Sequence, residues 1–311
     1  MRVKVVWESS DVAESLPSAL LCVTNMSSWF WRCLRGEHRA LIAGLSYVMI
    51  EKMEISAVII TYNEEKRLEA ALKSLKDVVE EIIVVDRYSD DDTVKLARKY
   101  TDRVFLRKWT NFSDQKNFGN GKAKFPWILS LDADERLSLE LRQEIIQLKE
   151  QEEEPECSGF EIPRRVFYLG RWVRHTVWNP DYKVRLFRRD KARWEGEYVQ
   201  EDLVFEGEIK KLKGSLYHFT YRNIADHLRR MNTFSDLGAQ KLYAQNKKCH
   251  WYHLGLLPFF RFVKSYIFRL GLLDGFAGFV VSVLDGYNVF LTYAKLKEIW
   301  KLGEKIEPFS S

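Results

Sequence analysis

Met53-Glu-Ile-Ser-Ala-Val-Ile-Ile-Thr-Tyr-Asn-Glu64 decides how this chain is read. Ile55–Ile60 is a largely β-branched run, short and flanked by polar residues, so it predicts a strand buried on both faces. Working outward, Glu64–Lys76 has Leu68, Ala71, Leu72 and Leu75 at helical spacing, and Glu81–Val85 is a second apolar strand ending at Asp86. Asp91–Tyr100 predicts a helix, Arg103–Leu106 a strand and Ser113–Lys122 a helix. Trp127–Leu131 predicts a strand ending at Asp132, and Ser138–Lys149 a helix. Strands alternating with helices predict right-handed βαβ units on a mostly parallel sheet, the α/β class. In such sheets ligands lie beyond the carboxyl ends of the strands, where Thr61-Tyr62-Asn63, Asp86 and Asp132-Ala133-Asp134 fall.

Composition sets limits on either side of that core. The chain has 311 residues, 46% hydrophobic and 30% charged, with a net charge of +5. This excludes global disorder and is too mildly basic to argue for nucleic acid. Ten Trp are many, and favour sugar, base or membrane-interface contacts. The four Cys form no Cys-x-x-Cys pair and the six His no His-Glu-x-x-His, which argues against a disulfide framework or a zinc site and for a reducing, cytosolic setting. Any metal would be a hard ion held on carboxylates.

Residues 1–52 lack the periodicity of the rest and form an N-terminal extension; its apolar run, Leu41–Ile50, comes too late for a signal peptide, and Met49 or Met53 is the expected start of the native protein. A core domain is expected over 53–222, with mixed short strands from Phe160 to Tyr217, and a helical region over 223–311. From Trp251 the tail interleaves Phe and Tyr with Arg261, Lys264 and Arg269. No stretch reaches 18 uncharged apolar residues, and Asp274 and Asp285 interrupt the tail, so lying in the membrane interface fits better than spanning it. The competing expectation is a helical unit packed on the sheet.

Asp132 and Asp134, separated by one residue at a strand end, can hold Mg²⁺ or Mn²⁺ on one carboxylate while the other reaches the metal through water or binds a ribose hydroxyl. A cation bridging a diphosphate neutralises charge on a departing nucleoside diphosphate. Asp86 can accept a hydrogen bond from a pyrimidine ring N–H, or cap a turn. Tyr62 can stack on a base, and Asn63 can cap the helix beginning at Glu64 or touch ligand. Neither Gly-x-Gly-x-x-Gly nor Gly-x-x-x-x-Gly-Lys-Ser/Thr is present, which argues against dinucleotide oxidoreductases and P-loop NTPases. Diphosphate charge then falls to metal and side chains, with Lys116 the nearest.

Val58-Ile-Ile-Thr-Tyr-Asn-Glu64, Glu81-Ile-Ile-Val-Val-Asp86, Ser89-Asp-Asp-Asp-Thr93, Gln115-Lys-Asn117 and Leu129-Ser-Leu-Asp-Ala-Asp-Glu-Arg136 together resemble glycosyltransferase family 2. More narrowly, Pro180-Asp-Tyr-Lys-Val-Arg-Leu-Phe-Arg-Arg189, Tyr217-His-Phe-Thr-Tyr221 and Leu272-Leu-Asp-Gly-Phe-Ala-Gly278 resemble its bacterial lipopolysaccharide-core β-1,4-glucosyltransferases. The resemblance runs from Met53 to about Glu298. It implies a GT-A fold, a UDP-sugar donor, a divalent cation and inverting transfer of a hexose, glucose, to a lipid-linked saccharide at the cytoplasmic face of the inner membrane. By position, Thr61, Tyr62, Asp86 and Asp91 would hold the nucleoside, Asp132 face the ribose, Asp134 the metal, and Lys116 and Asn117 lie by the donor. Glu201 would be the base, with Asp202 and Asp181 in reserve. Arg185 and Arg188 would engage phosphates, since the guanidinium fork matches phosphate oxygens. Trp172, Trp178 and Trp194 can stack on sugar rings, with core packing expected for at least two. Two departures stand out: Arg87-Tyr88 replaces small residues, and Gln200 precedes Glu201 where His is usual. The alternatives are a non-catalytic nucleotide-sugar-binding protein and a nucleotidyltransferase, which would need a Gly-rich basic loop where Glu64-Glu65 stand.

Overall fold

The apolar runs become the centre of a sheet. In the computed structural model, which describes residues 52–196 and 201–303, β1 (Ile55–Thr61) lies parallel between β2 (Glu81–Asp86) and β4 (Trp127–Asp132), with β3 (Val104–Leu106) outside β2. Ile55, Ala57 and Ile59 are wholly buried, as expected of strands covered on both faces. Residues 1–51 of the expected N-terminal extension, with the candidate start Met49, fall outside the described residues, whereas Met53, the other candidate start, is buried just before β1.

The helices follow the predicted spacing with shifted ends. α1 spans only Leu68–Leu75, and the turn before it is anchored to the loop after β2. Glu64 N donates to Thr93 Oγ1 and Glu65 N to Asp91 Oδ2, while Asn63 turns the chain at a φ of 53°. Asn63 therefore caps no helix: it accepts from Asp90 N and its own amide donates to Ser89 Oγ. α2 is short, Thr93–Ala97, and dissolves into tight turns at Lys99 and Tyr100. α3 (Phe112–Lys122) is capped by Asn111 and α4 (Leu139–Glu150) by Ser138, each accepting an amide three residues on. Gly119 in α3 is required by contact: a Cβ there would lie 2.4 Å from Val58 Cγ1. That close seat on β1 carries Lys116, one turn earlier, over the sheet.

Beyond β4 the sheet turns antiparallel through β8 (Tyr182–Arg188) and continues with β6 (Gly159–Tyr168), β12 (Leu216–His218) and β5 (Glu135–Leu137), in the order β3-β2-β1-β4-β8-β6-β12-β5. β7 (Arg171–Val173) and β11 (Ile209–Lys211) also pair with β6, and β9 (Ala192–Glu195) with β10 (Asp202–Phe205) makes a separate hairpin. The return of β12 beside β5 brings His218 opposite Glu135, so the end of β4 acquires a second wall.

The C-terminal helices are packed on this sheet and also present an apolar surface. Val166, Tyr168 and Val173 form one core with Met231 of α5 (Ile224–Ala244) and Ala277 and Val281 of α8 (Gly275–Leu302). Among the described residues, those of 53–151 and those from 155 to 303 form one compact unit. Between them α6 (Trp251–Leu254) and α7 (Leu256–Val263) run into a π turn at Lys264–Phe268, leaving Phe259, Phe260, Phe268 and Phe276 exposed, Phe268 at 77%. Gly271–Leu302 is, by length and composition, long and apolar enough to cross a membrane.

Candidate active site

β1 places Thr61 opposite Asp86 and Ile60 opposite Asp132, so the three rim clusters end on adjacent strands. Asp86 is wholly buried. Its Oδ2 accepts from Thr61 Oγ1 (2.8 Å) and Ser89 Oγ (2.6 Å), and its Oδ1 from Ser89 N (2.7 Å). It thus organises the loop after β2, rather than presenting an open carboxylate. Asp91 does the same one turn on, accepting from Thr93 N (3.0 Å) and from the Thr93 hydroxyl. Over this loop the Arg87 guanidinium lies 4.7 Å from the centroids of both Tyr62 and Trp109, a cation between two aromatic faces. Tyr62 therefore has a stacking partner of its own chain.

Asp132 begins a chain of alternating charges. Arg185 Nη2 lies 2.5 Å from Asp132 Oδ2 and 2.9 Å from Glu135 Oε1; Arg164 reaches Glu135 at 3.3 Å and Asp181 at 2.6 Å. On its other side Lys116 Nζ lies 3.2 Å from Asp132 Oδ1 and 2.7 Å from Glu201 Oε1, and sits 4.4 Å over the Trp194 ring. From Asp181 to Glu201 the order is acid, base, acid, base, acid, base, acid, so the chain carries a net charge of −1. Burial raises the cost of an ionised Asp132, but Arg185 and then Lys116 outweigh it, and its carboxyl is held well below the usual range. Burial likewise disfavours the charged form of Arg185, and Asp132 with Glu135 more than compensates, holding its proton more tightly.

Asp134 has a separate, looser shell: His218 Nε2 at 3.5 Å, Arg67 at 3.6 Å and Arg230 at 3.8 Å. Arg67 is itself held by a bidentate pair to Glu64 at 2.7 Å, which ties the β1–α1 loop to Asp134. Burial would raise the Asp134 pKa, but His218 and Arg67 together bring it below the usual value. No group of three His, Cys, Asp or Glu side chains among the described residues could cage a metal. The donor set fits a hard cation that takes one or two carboxylates and completes its shell with diphosphate oxygens and water. Asp134 is the better placed ligand, since Asp132 already has two close cations.

Of the residues singled out from sequence, Asp132, Lys116, Arg185 and Glu201 are brought into contact, with Asp134 beside them and Thr61, Tyr62, Asn63, Asp86 and Asp91 one strand across. Two are not brought to the rim. Asn117 has both halves of its amide on the Trp194 backbone, at 2.8 and 3.0 Å. Arg188 stands at the opposite end of β8, in register with Trp127 at the start of β4, and pairs with Asp190. Trp178 and Trp194 pack against Tyr168 and Phe187 respectively, while Trp172 is half-exposed. Sequence reasoning missed Glu135, Arg164, Arg67, Arg230 and Trp109. A signal existed only for Glu135, an acid inside an apolar strand pattern; the arginines belong to distant segments.

Comparison with known proteins identifies the family. The model of glycosyl transferase family 2 matches residues 56–199. An uncharacterized glycosyltransferase of Rickettsia typhi is 31% identical over 255 residues, covering 79% of this chain and 87% of its own. The lipopolysaccharide core biosynthesis glycosyltransferase LpsC of Rhizobium meliloti is 32% identical over 256 residues, covering 80% and 93%. The chain belongs to glycosyltransferase family 2. Among solved structures, S. aureus TarS 1–349 in complex with UDP-GlcNAc aligns over 82% of this chain and 93% of its own, with 17% identity and a TM-score of 0.42. In this glycosyltransferase the fold is mixed α/β, its sheet parallel over β3-β2-β1-β4 and antiparallel at β8, and the Arg87 departure is filled by a stacked guanidinium. Gln200, the other departure, lies outside the described residues.

Proposed function

We propose that this glycosyltransferase is an inverting enzyme that moves a hexose, glucose, from UDP-glucose to a lipid-linked saccharide such as lipopolysaccharide core. The observation that carries the reading is Lys116, only 2% exposed, whose ammonium joins Asp132 to Glu201. One buried cation holds the carboxylate at the donor strand and the candidate base in a fixed relation. In a direct displacement the acceptor oxygen forms its bond to the anomeric carbon as the bond to UDP breaks. Glu201 takes the hydroxyl proton and UDP leaves with the electron pair. Asp134, with Asp132 adjoining, would hold Mg²⁺ or Mn²⁺, which supplies charge stabilisation at the departing diphosphate when bound. Arg185, buried against Asp132, keeps that carboxylate ionised and oriented before the donor arrives. Asp86 and Asp91 shape the loop on which the nucleoside would rest, with Thr61 and Tyr62.

The exposed phenylalanines at 259, 260, 268 and 276, with exposed Lys264 and Arg269 among them, support a peripheral seat on an anionic membrane, proposed as the cytoplasmic face of the inner membrane. The name of LpsC supports a lipopolysaccharide-core acceptor. The test is incubation with UDP-glucose, UDP-galactose or UDP-GlcNAc, Mn²⁺ and truncated core lipopolysaccharide. The expected product is acceptor heavier by one glucose, with an anomeric proton coupling that reports a β linkage. UDP release with no change in acceptor mass would count against it.

A further inference from the structure

Two adjoining cavities, of about 540 and 630 Å³, lie beside the charged chain and are used by nothing above. Both are lined by Trp172 and Arg174. The first is closed by Arg164, Arg165, Asp181 and Tyr217, the second by Arg171, Asp274 and Leu273. The Trp172 and Tyr217 rings lie 4.6 Å apart and Trp172 also meets Phe219 at 5.9 Å, which makes a half-exposed aromatic floor. The amide of Phe219 donates to the Asp134 carbonyl at 2.9 Å, so this floor adjoins the backbone of the candidate metal carboxylate.

The electrostatics of the walls are one-sided. Both acids there already have partners: Asp181 is held by Arg164 at 2.6–2.7 Å, and Asp274 is buried, accepting from Arg174 N (3.0 Å) and His175 N (2.7 Å) with Arg171 at 3.9 Å. Arg165 and Arg174 are exposed, and among the described residues neither has a carboxylate within salt-bridge distance. Two unneutralised guanidiniums over an aromatic floor offer forks to an anionic group and a flat apolar face to a sugar ring. Leu273, which lines the second cavity, is exposed, as is Phe276 three residues on.

We propose that these joined cavities are the acceptor seat, and that the acceptor is an acidic saccharide. Its phosphate or carboxylate is held by Arg165 and Arg174, a sugar ring lies on Trp172 and Tyr217, and its lipid end leaves past Leu273. This deepens the lipid-linked acceptor reading and rests on it, naming the charge that the acceptor must carry.

Binding without donor tests the seat separately from transfer. Glucose 6-phosphate, glucuronate, glucose and inorganic phosphate are titrated against the whole enzyme, with saturation-transfer NMR as readout. Expected is binding of glucose 6-phosphate, glucuronate or both, at least tenfold tighter than glucose; the stronger of the two identifies phosphate or carboxylate as the recognised group. The Arg165→Gln/Arg174→Gln double variant should weaken that binding at least tenfold and leave UDP binding unchanged, and Trp172→Ala should weaken the sugars but not inorganic phosphate. Equal binding of glucose, binding indifferent to the double variant, or inorganic phosphate bound as tightly as glucose 6-phosphate each overturns the proposal. Loss of UDP-sugar turnover with acidic-sugar binding intact would instead count against the proposed transferase reaction.

Discussion

Arg185→Met removes the central link of the alternating charge chain, and its cost can be worked from the contacts. Arg185 is 4% exposed and serves Asp132 and Glu135 at once; Glu135 is wholly buried, whereas the Asp132 side chain retains 27% exposure. Removing one member of a buried pair costs about 3–5 kcal/mol, chiefly because the partner charge is left behind. Here Glu135 keeps Arg164 at 3.3 Å and the Asp132 amide at 3.1 Å, and Asp132 keeps Lys116 and some water. The low end of that range, about 3 kcal/mol, is therefore expected, which for a domain of this size corresponds to roughly 6–12 °C in Tm. The loss should depend on pH. Against the opposing effect of burial, Arg185 and Lys116 depress the Asp132 carboxyl, so this contribution is present above an unfolded pKa of about 3.9 and is lost as pH falls through the lower folded value. The gap between the two proteins should be full at pH 7 and narrow below about pH 4. Urea unfolding followed by Trp fluorescence at both pH values measures it. A gap under about 1 kcal/mol at pH 7, well below the range for a broken buried pair, or one that does not narrow in acid, refutes the reasoning.

Glu201→Gln should lower kcat by roughly 10²–10⁴ with little change in donor KM, as expected for loss of a general base, and steady-state kinetics with varied UDP-sugar measures both. A variant that loses donor affinity but keeps its turnover would move Glu201 out of that role. Asp134→Ala should abolish Mn²⁺-stimulated transfer while far-UV circular dichroism stays unchanged; near-normal turnover would remove Asp134 from the metal site. Burial, opposed by Asp226, lowers the His227 pKa to about 4, with its Nδ1 3.0 Å from the Tyr168 hydroxyl and its ring stacked 3.9 Å from Tyr221. Native His227 stays neutral while the unfolded state gains a proton below 6.5, so its contribution is complete above that pH and falls by up to roughly 3 kcal/mol on descent to pH 4. In His227→Gln the stability curve should be flatter across this window; an unchanged slope would show that the imidazole titrates normally.

The central strands were legible because their signal is local. Ile55–Ile60, Glu81–Val85 and Trp127–Leu131 are apolar runs bounded by polar rim residues, and they coincide with β1, β2 and β4. Helix bounds were less legible where a distant segment anchors the preceding turn, as Thr93 and Asp91 do at Glu64 and Glu65. Asp86 shows how placement alone misleads about exposure: the residue ends its strand as expected, yet Thr61 and Ser89 cover its carboxylate. Asn117 and Arg188 show the same for side-chain direction and strand end.

By itself the sequence determined the α/β class, the parallel direction of the first strands and the family, since each rests on periodicity or on motifs that lie within one segment. Only the tertiary structure decided which charges meet. Lys116 and Glu201 are 85 positions apart, Asp132 and Arg185 are 53, and their ion pairs exist because α3 sits on β1 through Gly119 and β8 returns antiparallel beside β4. Coulomb energy depends on separation in space and on burial, and neither is written in the spacing of residues along the chain.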